Sequence, residues 1–451
     1  MKKLLLGILG IAFGLMSGVG SVLAQTPGEN RLLVFTDGGW FVGISDNAKW
    51  AAGYLTHEAG FLINLETETV IQLLSNEVNY SEAKDVADDG TVVGTANGLP
   101  AYWTSDGKYD PLPLPPGNFE EGQVAGITPD GKIISGYVYD SGFSATPLRW
   151  LRQDDGSYKV EKLKGLDKDL FGKRPLGGFF VDAISADGSM IAGRMCDNNY
   201  GWFPVLWKNV EETPLPVVIA KDRQMTDAGK WNGWNCEIFS FSADNKLLLG
   251  VYTDNSVEYG PTHGYVYNIA EDLMTLPEMS GDVLSLVTSD GKLISASPAG
   301  FPYRSAFIDV PGKGGFKLED YVQEHFGVNM LEQLDGSGTP MAISADEKSI
   351  VGFAGYNGSA MAGFCLQMGK DVTSVRAEKL EKPAVYADVA GNITVQGAKG
   401  AKVTLADLSG RVISTCDANS DAVLLPGIKG QVYLVKVAFD HVIYLSKVIV
   451  Y

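Results

Sequence analysis

The sequence predicts an all-β protein, a seven-bladed β-propeller followed by a small Ig-like β-sandwich. Three observations carry that expectation. A phrase of about ten residues recurs seven times between residues 43 and 353, a second strand pair follows most copies, and short alternating strands of another pattern fill the stretch after residue 383. Recurrence at intervals of a few tens of residues signals one supersecondary unit stacked on its own copies.

The clearest copy runs Ile184-Ser185-Ala186-Asp187-Gly188-Ser189-Met190-Ile191-Ala192-Gly193. Variants start at Ile127, Phe241, Val287 and Ile343, with degenerate copies at Ile44 and Val86. Each reads apolar, then a polar break centred on Asp-Gly or a relative, then apolar and β-branched. That pattern predicts two antiparallel strands joined by a tight turn. The Asp accepts backbone N–H groups two residues on, and Gly supplies positive φ without steric cost. The turn positions Asn47, Asp89, Asp130, Asp187, Asp244, Asp290 and Asp346 lie 41 to 57 residues apart, the length of one four-stranded blade. A repeated Asp also invites a catalytic or metal-binding reading. Turn chemistry outweighs it, because seven equivalent turns round a ring cannot converge on one substrate.

The second hairpin begins with strands ending at Trp103, Trp150, Trp207, Tyr267 and Ile308, and its return strand often closes on Leu-Pro, as at Leu112-Pro113, Leu215-Pro216 and Leu276-Pro277. After Phe364 to Met368 the last repeat has no return strand. Arg31 to Phe35, ahead of the first phrase, is expected to supply it, and such closure removes the open edges of the sheet. Between the last two repeats, Leu318 to Gln333 predicts a helix, with Tyr321, Phe326 and Leu331 folding onto the rim.

The phrase resembles extracellular HAF-type repeats and, more loosely, the S-P-D-G-K phrase of TolB-like propellers, over most of residues 31 to 370. The resemblance implies the architecture and no activity. Residues 371–382 read as a charged linker, and 383–451 as the β-sandwich, with strands at Asn392–Val395, Val403–Ala406, Arg411–Ser414, Val432–Val437 and Leu445–Tyr451. The D-L-S-G-R-V run from Asp407, the L-L-P-G near Leu424, Tyr433 to Val437 and Ser446 to Val450 resemble the C-terminal sorting domain of the type IX secretion system of Bacteroidota. That resemblance implies type IX export machinery as a partner. Gly430-Gln431-Val432-Tyr433 departs from the family by one extra residue.

Met1-Lys2-Lys3, the apolar run Leu4 to Met16 and Val22-Leu23-Ala24 predict a secretory signal peptide over 1–24, too short in its apolar part to span a bilayer. The expected layout is therefore a leader at 1–24, the propeller at 25–370, the linker and the tail domain. Secretion or display on the outer cell surface, by way of the periplasm, follows. No transmembrane segment is expected.

The net charge of −18, from 54 acidic against 36 basic residues, argues against nucleic acid, whose binding needs a basic footprint. It suits a cationic ligand or a divalent ion. The four cysteines show no zinc spacing and no metal or cofactor is expected. In an oxidising compartment Cys196 and Cys236 are placed by propeller topology to pair, with two buried thiols as the alternative.

Irregular loops opposite the Asp-Gly turns carry the candidate ligand-binding residues: Tyr200, Trp202, Trp231, Trp234, Asp254, Tyr259, His263, Tyr303 and Arg304. Aromatics interleaved with Asn and Asp stack on sugars or anchor a protein partner; burial between blades is the competing role for the tryptophans. No Gly-x-Ser-x-Gly elbow, phosphate loop or zinc-protease helix occurs, so no catalytic residue is assigned. The expected function is binding of a glycan or protein ligand. The alternative is a polysaccharide hydrolase or lyase with acids at the propeller mouth.

Overall fold

The computed structural model describes residues 22–24, 30–369 and 383–450, apart from 37–38, 56–58, 141, 143, 169–172, 175–177, 197–200, 209–216, 219–233, 255–261, 282, 298–304, 359, 389, 409–410 and 439–442. The chain divides into two compact units, residues 1–370 and 371–451.

In the first unit the described residues form seven small antiparallel sheets, six of four strands and one of five. Numbered along the chain, their inner strands are Gly39–Ile44, Ser81–Val86, Phe119–Ile127, Phe179–Ile184, Trp234–Phe241, Val283–Val287 and Thr339–Ile343. Each inner strand contacts the next, and that of sheet 7 contacts that of sheet 1, so the arrangement is cyclic. Sheet 7 takes its outer strand from the N-terminal side. Asn30–Phe35 pairs antiparallel with Ala360–Met368, from Asn30↔Met368 to Phe35↔Gly363, as the missing return strand requires. A further strand inside the expected leader, Val22–Ala24, pairs outside it.

The recurring phrase is one hydrogen-bonded unit. Ser185 Oγ donates to Asp187 Oδ1 at 2.7 Å and accepts the Met190 N–H at 2.9 Å, while Asp187 Oδ1 accepts the Ser189 N–H at 2.9 Å. The same Ser/Thr–Asp clasp closes the turns at Thr128, Ser242, Thr288 and Ser344. These hydroxyls are buried, and the bonds supply the partners that buried polar groups need. Gly188 sits at φ 68°; in the copies without Gly, Ala48, Asn245 and Glu347 hold the same left-handed position. Turns also bind turns: Asn47 N–H donates to Asp88 Oδ1, Asp88 N–H to the Pro129 carbonyl, Ala186 N–H to Asn245 Oδ1, and Ala345 N–H to the Asp46 carbonyl. The last of these joins the final sheet to the first.

The third strands place Trp103, Trp150, Trp207 and Tyr267 in the layers between sheets, all essentially inaccessible. Trp150 Nε1 donates to the Pro113 carbonyl and Trp207 Nε1 to that of Lys164, each 2.8 Å away where the preceding sheet ends. These two buried indoles thus keep their hydrogen bonds while their rings fill the interface.

The expected helix spans Leu318–Phe326 and stops at Gly327 in the left-handed conformation. Leu318 and Val322 are buried, with Tyr321 and Phe326 packed against the same core. Leu331 is 54% exposed instead of docked, because a 3-10 turn at Met330–Glu332 resets the phase and turns Met330 and Leu334 inward.

The second unit holds a three-stranded and a four-stranded sheet. They share one core of Ile393, Val395, Val403, Leu405, Leu425, Tyr433, Val435, Val437 and Val448. Ala384–Ala387 and Ala422–Pro426 are strands that the alternation did not announce. The run Gly430-Gln431-Val432-Tyr433 is built in: the Gln431 carbonyl accepts the Val450 N–H, and the Tyr433 hydroxyl accepts the Ile428 N–H at 3.0 Å.

Candidate functional site

Every inner strand of the first unit breaks register at the same place. The pairing slips between Phe41 and Gly43, Ala83 and Asp85, Val124 and Gly126, Val181 and Ala183, Ile238 and Ser240, Leu284 and Leu286, and Pro340 and Ala342. Each slip is a β-bulge, which leaves one residue unpaired and re-aims its side chain. The bulged residues are Val42, Lys84, Ala125, Asp182, Phe239, Ser285 and Met341, and all seven line one cavity of about 680 Å³ enclosed by the inner strands. Each of the seven is more exposed than the buried residue before it, although the Asp182 side chain is only 11% exposed.

In six of the seven sheets a glycine late in the repeat admits the bulge, while sheet 6 has Ser295 at that place. Gly193 lies across from Val181, and a Cβ there would stand 2.0 Å from the Phe180 carbonyl oxygen. Gly53, Gly94, Gly136, Gly250 and Gly352 show the same clash, at 1.9 to 2.3 Å from a carbonyl oxygen of their own inner strand. Only a residue without Cβ lets the bulged strand come this close.

The cavity wall is charged on one side. Asp85 accepts the N–H of Val86 at 2.8 Å and of Ile127, on the next inner strand, at 3.0 Å. Burial nevertheless pushes its carboxyl up to about 6; the two N–H bonds and Lys84 work against that rise, and Asp46 adds to it. Asp46 is likewise raised to about 6, by burial and then by Asp88. Asp182 is raised to about 6 by burial, in spite of the Arg194 guanidinium, whose Nε is 3.6 Å from Oδ1. Arg194 also bonds Glu237 on the next inner strand at 2.6 Å, and its guanidinium stands over the rings of Phe180 and Trp202. Tyr137 donates to Gln123 at 2.7 Å, and burial, then Glu82, raise the Tyr54 phenol to about 12.

The sequence candidates stand elsewhere. Tyr200, Trp231, Tyr259, Tyr303 and Arg304 lie outside the described residues. Trp202 opens the third strand of sheet 4 opposite Cys196, half-buried against Phe180 at 4.9 Å. Trp234 pairs with Asp254, and the exposed His263 with Tyr252, at the end of sheet 5 away from its Asp244-Asn245 turn. The described candidates thus share the predicted end of sheets 4 and 5, but none lines the cavity. The expected Cys196–Cys236 bridge is corrected: both are buried thiols. Cys236 fills apolar space beside Ala192, Leu206 and Tyr265 as a small hydrophobe. Sequence reasoning missed the cavity although its signal was present, since a glycine recurring inside a strand pattern marks a bulge or a close backbone approach.

Among the described residues no group of His, Cys, Asp and Glu is placed to hold a metal ion, and no helix is long and apolar enough to cross a membrane.

No protein-family model matches the chain, and no curated protein matches it. Solved structures do. An oligogalacturonate lyase in complex with manganese matches at 12% identity and a TM-score of 0.48, over 77% of this chain and 96% of that one. An oligogalacturonate lyase from Vibrio parahaemolyticus matches at 12% identity and 0.47, with the same coverage. A chain of a mitotic checkpoint complex matches at 15% identity and 0.45, over 81% of this chain and 98% of that one. Likeness at this level carries no argument about activity.

Proposed function

We propose that this is an exported binding protein, a seven-bladed propeller that takes a saccharide into the cavity at its centre. The observation that supports it is the row of bulges: one re-aimed side chain per sheet, all lining one shared cavity. Ligand sites are concave, part apolar, and carry a few placed polar groups. Here Phe239 and Met341 offer apolar surface, and Lys84, Asp182 and Gln123 offer hydrogen bonds. A glycan array followed by titration calorimetry on the chain from Gln25 to Tyr451 tests the reading. Saturable binding of an oligosaccharide is expected; absence of binding to any sugar would end it.

In the same reading residues 1–24 are the signal peptide and the second unit is an Ig-like sorting domain of the type IX kind, delivering the protein to the outer surface. The surface of that unit supports a role in contacting other proteins. Leu408, Val412, Leu424 and Ile428 are each about 60% exposed, unusual for such large apolar side chains. A chain lacking residues 383–451 should remain in the periplasm, and normal surface delivery would contradict the assignment.

One observation favours a second reading, cleavage of a bound polysaccharide. Asp46, Asp85 and Asp182 are all raised to about 6, where a carboxyl serves as a general acid near neutral pH. Release of new reducing ends or unsaturated products from a bound polymer distinguishes it from binding alone.

A further inference from the structure

The bulged residues do not alternate in character round the ring. Sheets 2, 3 and 4 present Lys84, Ala125 and Asp182, a charged arc parted by one small residue. Sheets 5, 6, 7 and 1 present Phe239, Ser285, Met341 and Val42, an arc that is largely apolar. Phe239 and Met341 are 38% and 40% exposed, although Ile238 and Pro340 beside them are buried. Large apolar side chains on inner strands normally point into the packing between sheets. Here the bulge turns them to the centre, where each keeps more than a third of its surface exposed. A pyranose ring has the matching asymmetry: an apolar C–H face that stacks on aromatic or thioether surface, and a rim of hydroxyls that donate and accept. The Lys84 ammonium and the Asp182 carboxylate on the charged arc supply both kinds of partner.

Resting on the saccharide reading above, we propose that the bulged residues, and not the loops at the open face, select the ligand. The sugar's apolar face lies on Phe239 and Met341, and its hydroxyls turn toward Lys84 and Asp182. These side chains are held by strand backbone, and clash-limited glycines fix that backbone opposite the bulges, as at Gly193 and Gly250. Recognition geometry is kept better on strands than on loops.

The test is calorimetric titration of the chain from Gln25 to Tyr451 with cellohexaose, xylohexaose, mannohexaose and chitohexaose. Phe239→Ala should weaken the best of these at least tenfold and Phe239→Trp should retain it. Lys84→Ala and Asp182→Asn should change the order of preference among the four. Unchanged tryptophan fluorescence and melting temperature separate loss of contact from loss of fold. Loss of binding on Trp231→Ala or Tyr303→Ala, with Phe239→Ala within twofold of the wild type, would overturn the proposal while leaving saccharide binding standing. A wild-type protein that binds none of the four, nor any sugar on the array, would sink both.

Discussion

Replacing Asp85 by Asn should change stability in a pH-dependent way, and the structure gives the size of the change. The Asp85 carboxyl is raised from 3.8 to about 6, chiefly by burial. A group whose folded-state pKa exceeds its unfolded value favours the fold at low pH and loses that contribution as pH rises through the folded value. A rise of this size corresponds to ~3 kcal/mol in full, of which ~1.5 kcal/mol is lost between pH 5 and 7.5. Asn removes that charge. It keeps Oδ1 for the Val86 N–H but sets an NH2 group against the Ile127 N–H now received by Oδ2, at a cost of about 1–3 kcal/mol. The variant should therefore gain ~1.5 kcal/mol on the wild type between pH 5 and pH 7.5. Urea unfolding followed by tryptophan fluorescence measures this cleanly, because all eight tryptophans lie in the first unit. A difference between variant and wild type that does not move with pH would refute the claim that burial, and not its hydrogen bonds, sets the charge state of Asp85.

Other expectations follow from the same geometry. Gly94→Ala sets a Cβ 1.9 Å from the Glu82 carbonyl oxygen and should cost several times the ~1 kcal/mol expected of Gly98→Ala, which meets nothing and bears only a positive φ; equal melting temperatures would contradict the bulge argument. Ser185→Ala removes the hydroxyl that serves Asp187 and the Met190 N–H, and should cost about 1–3 kcal/mol by urea titration. Under non-reducing denaturing conditions all four cysteines should react with a thiol reagent; a count of two would restore a disulfide.

Much of the fold was legible because its signals are local. The turn from Ser185 to Met190 closes on itself within six residues, and the same chemistry repeats in most copies of the phrase. The outer strand of sheet 7 was legible by subtraction, since the last repeat lacked one and Leu32 to Phe35 had no other sheet to join. The phase reset at Met330 was not, because it depends on how the chain leaves Gly327. The site was hidden for a related reason. Phe239 and Met341 read in sequence as ordinary apolar strand residues, and only the bulge turns them to the cavity. Arg194 of sheet 4 meets Glu237 of sheet 5, and Asp85 of sheet 2 meets the Ile127 N–H of sheet 3, which no spacing along the chain encodes. The aromatic loops attracted attention by composition; the cavity is built by backbone geometry, and its trace in sequence is a glycine at the end of six of the seven phrases.

The most direct test of saccharide recognition by the bulges is a crystal structure of the chain from Gln25 to Tyr451 soaked with the tightest-binding oligosaccharide. Sugar density is expected inside the ring of inner strands, with a ring face against Phe239 and hydroxyls within hydrogen-bonding distance of Lys84 or Asp182. Density confined to the loops around Trp231 and Tyr303, with the central cavity holding only water, would contradict it.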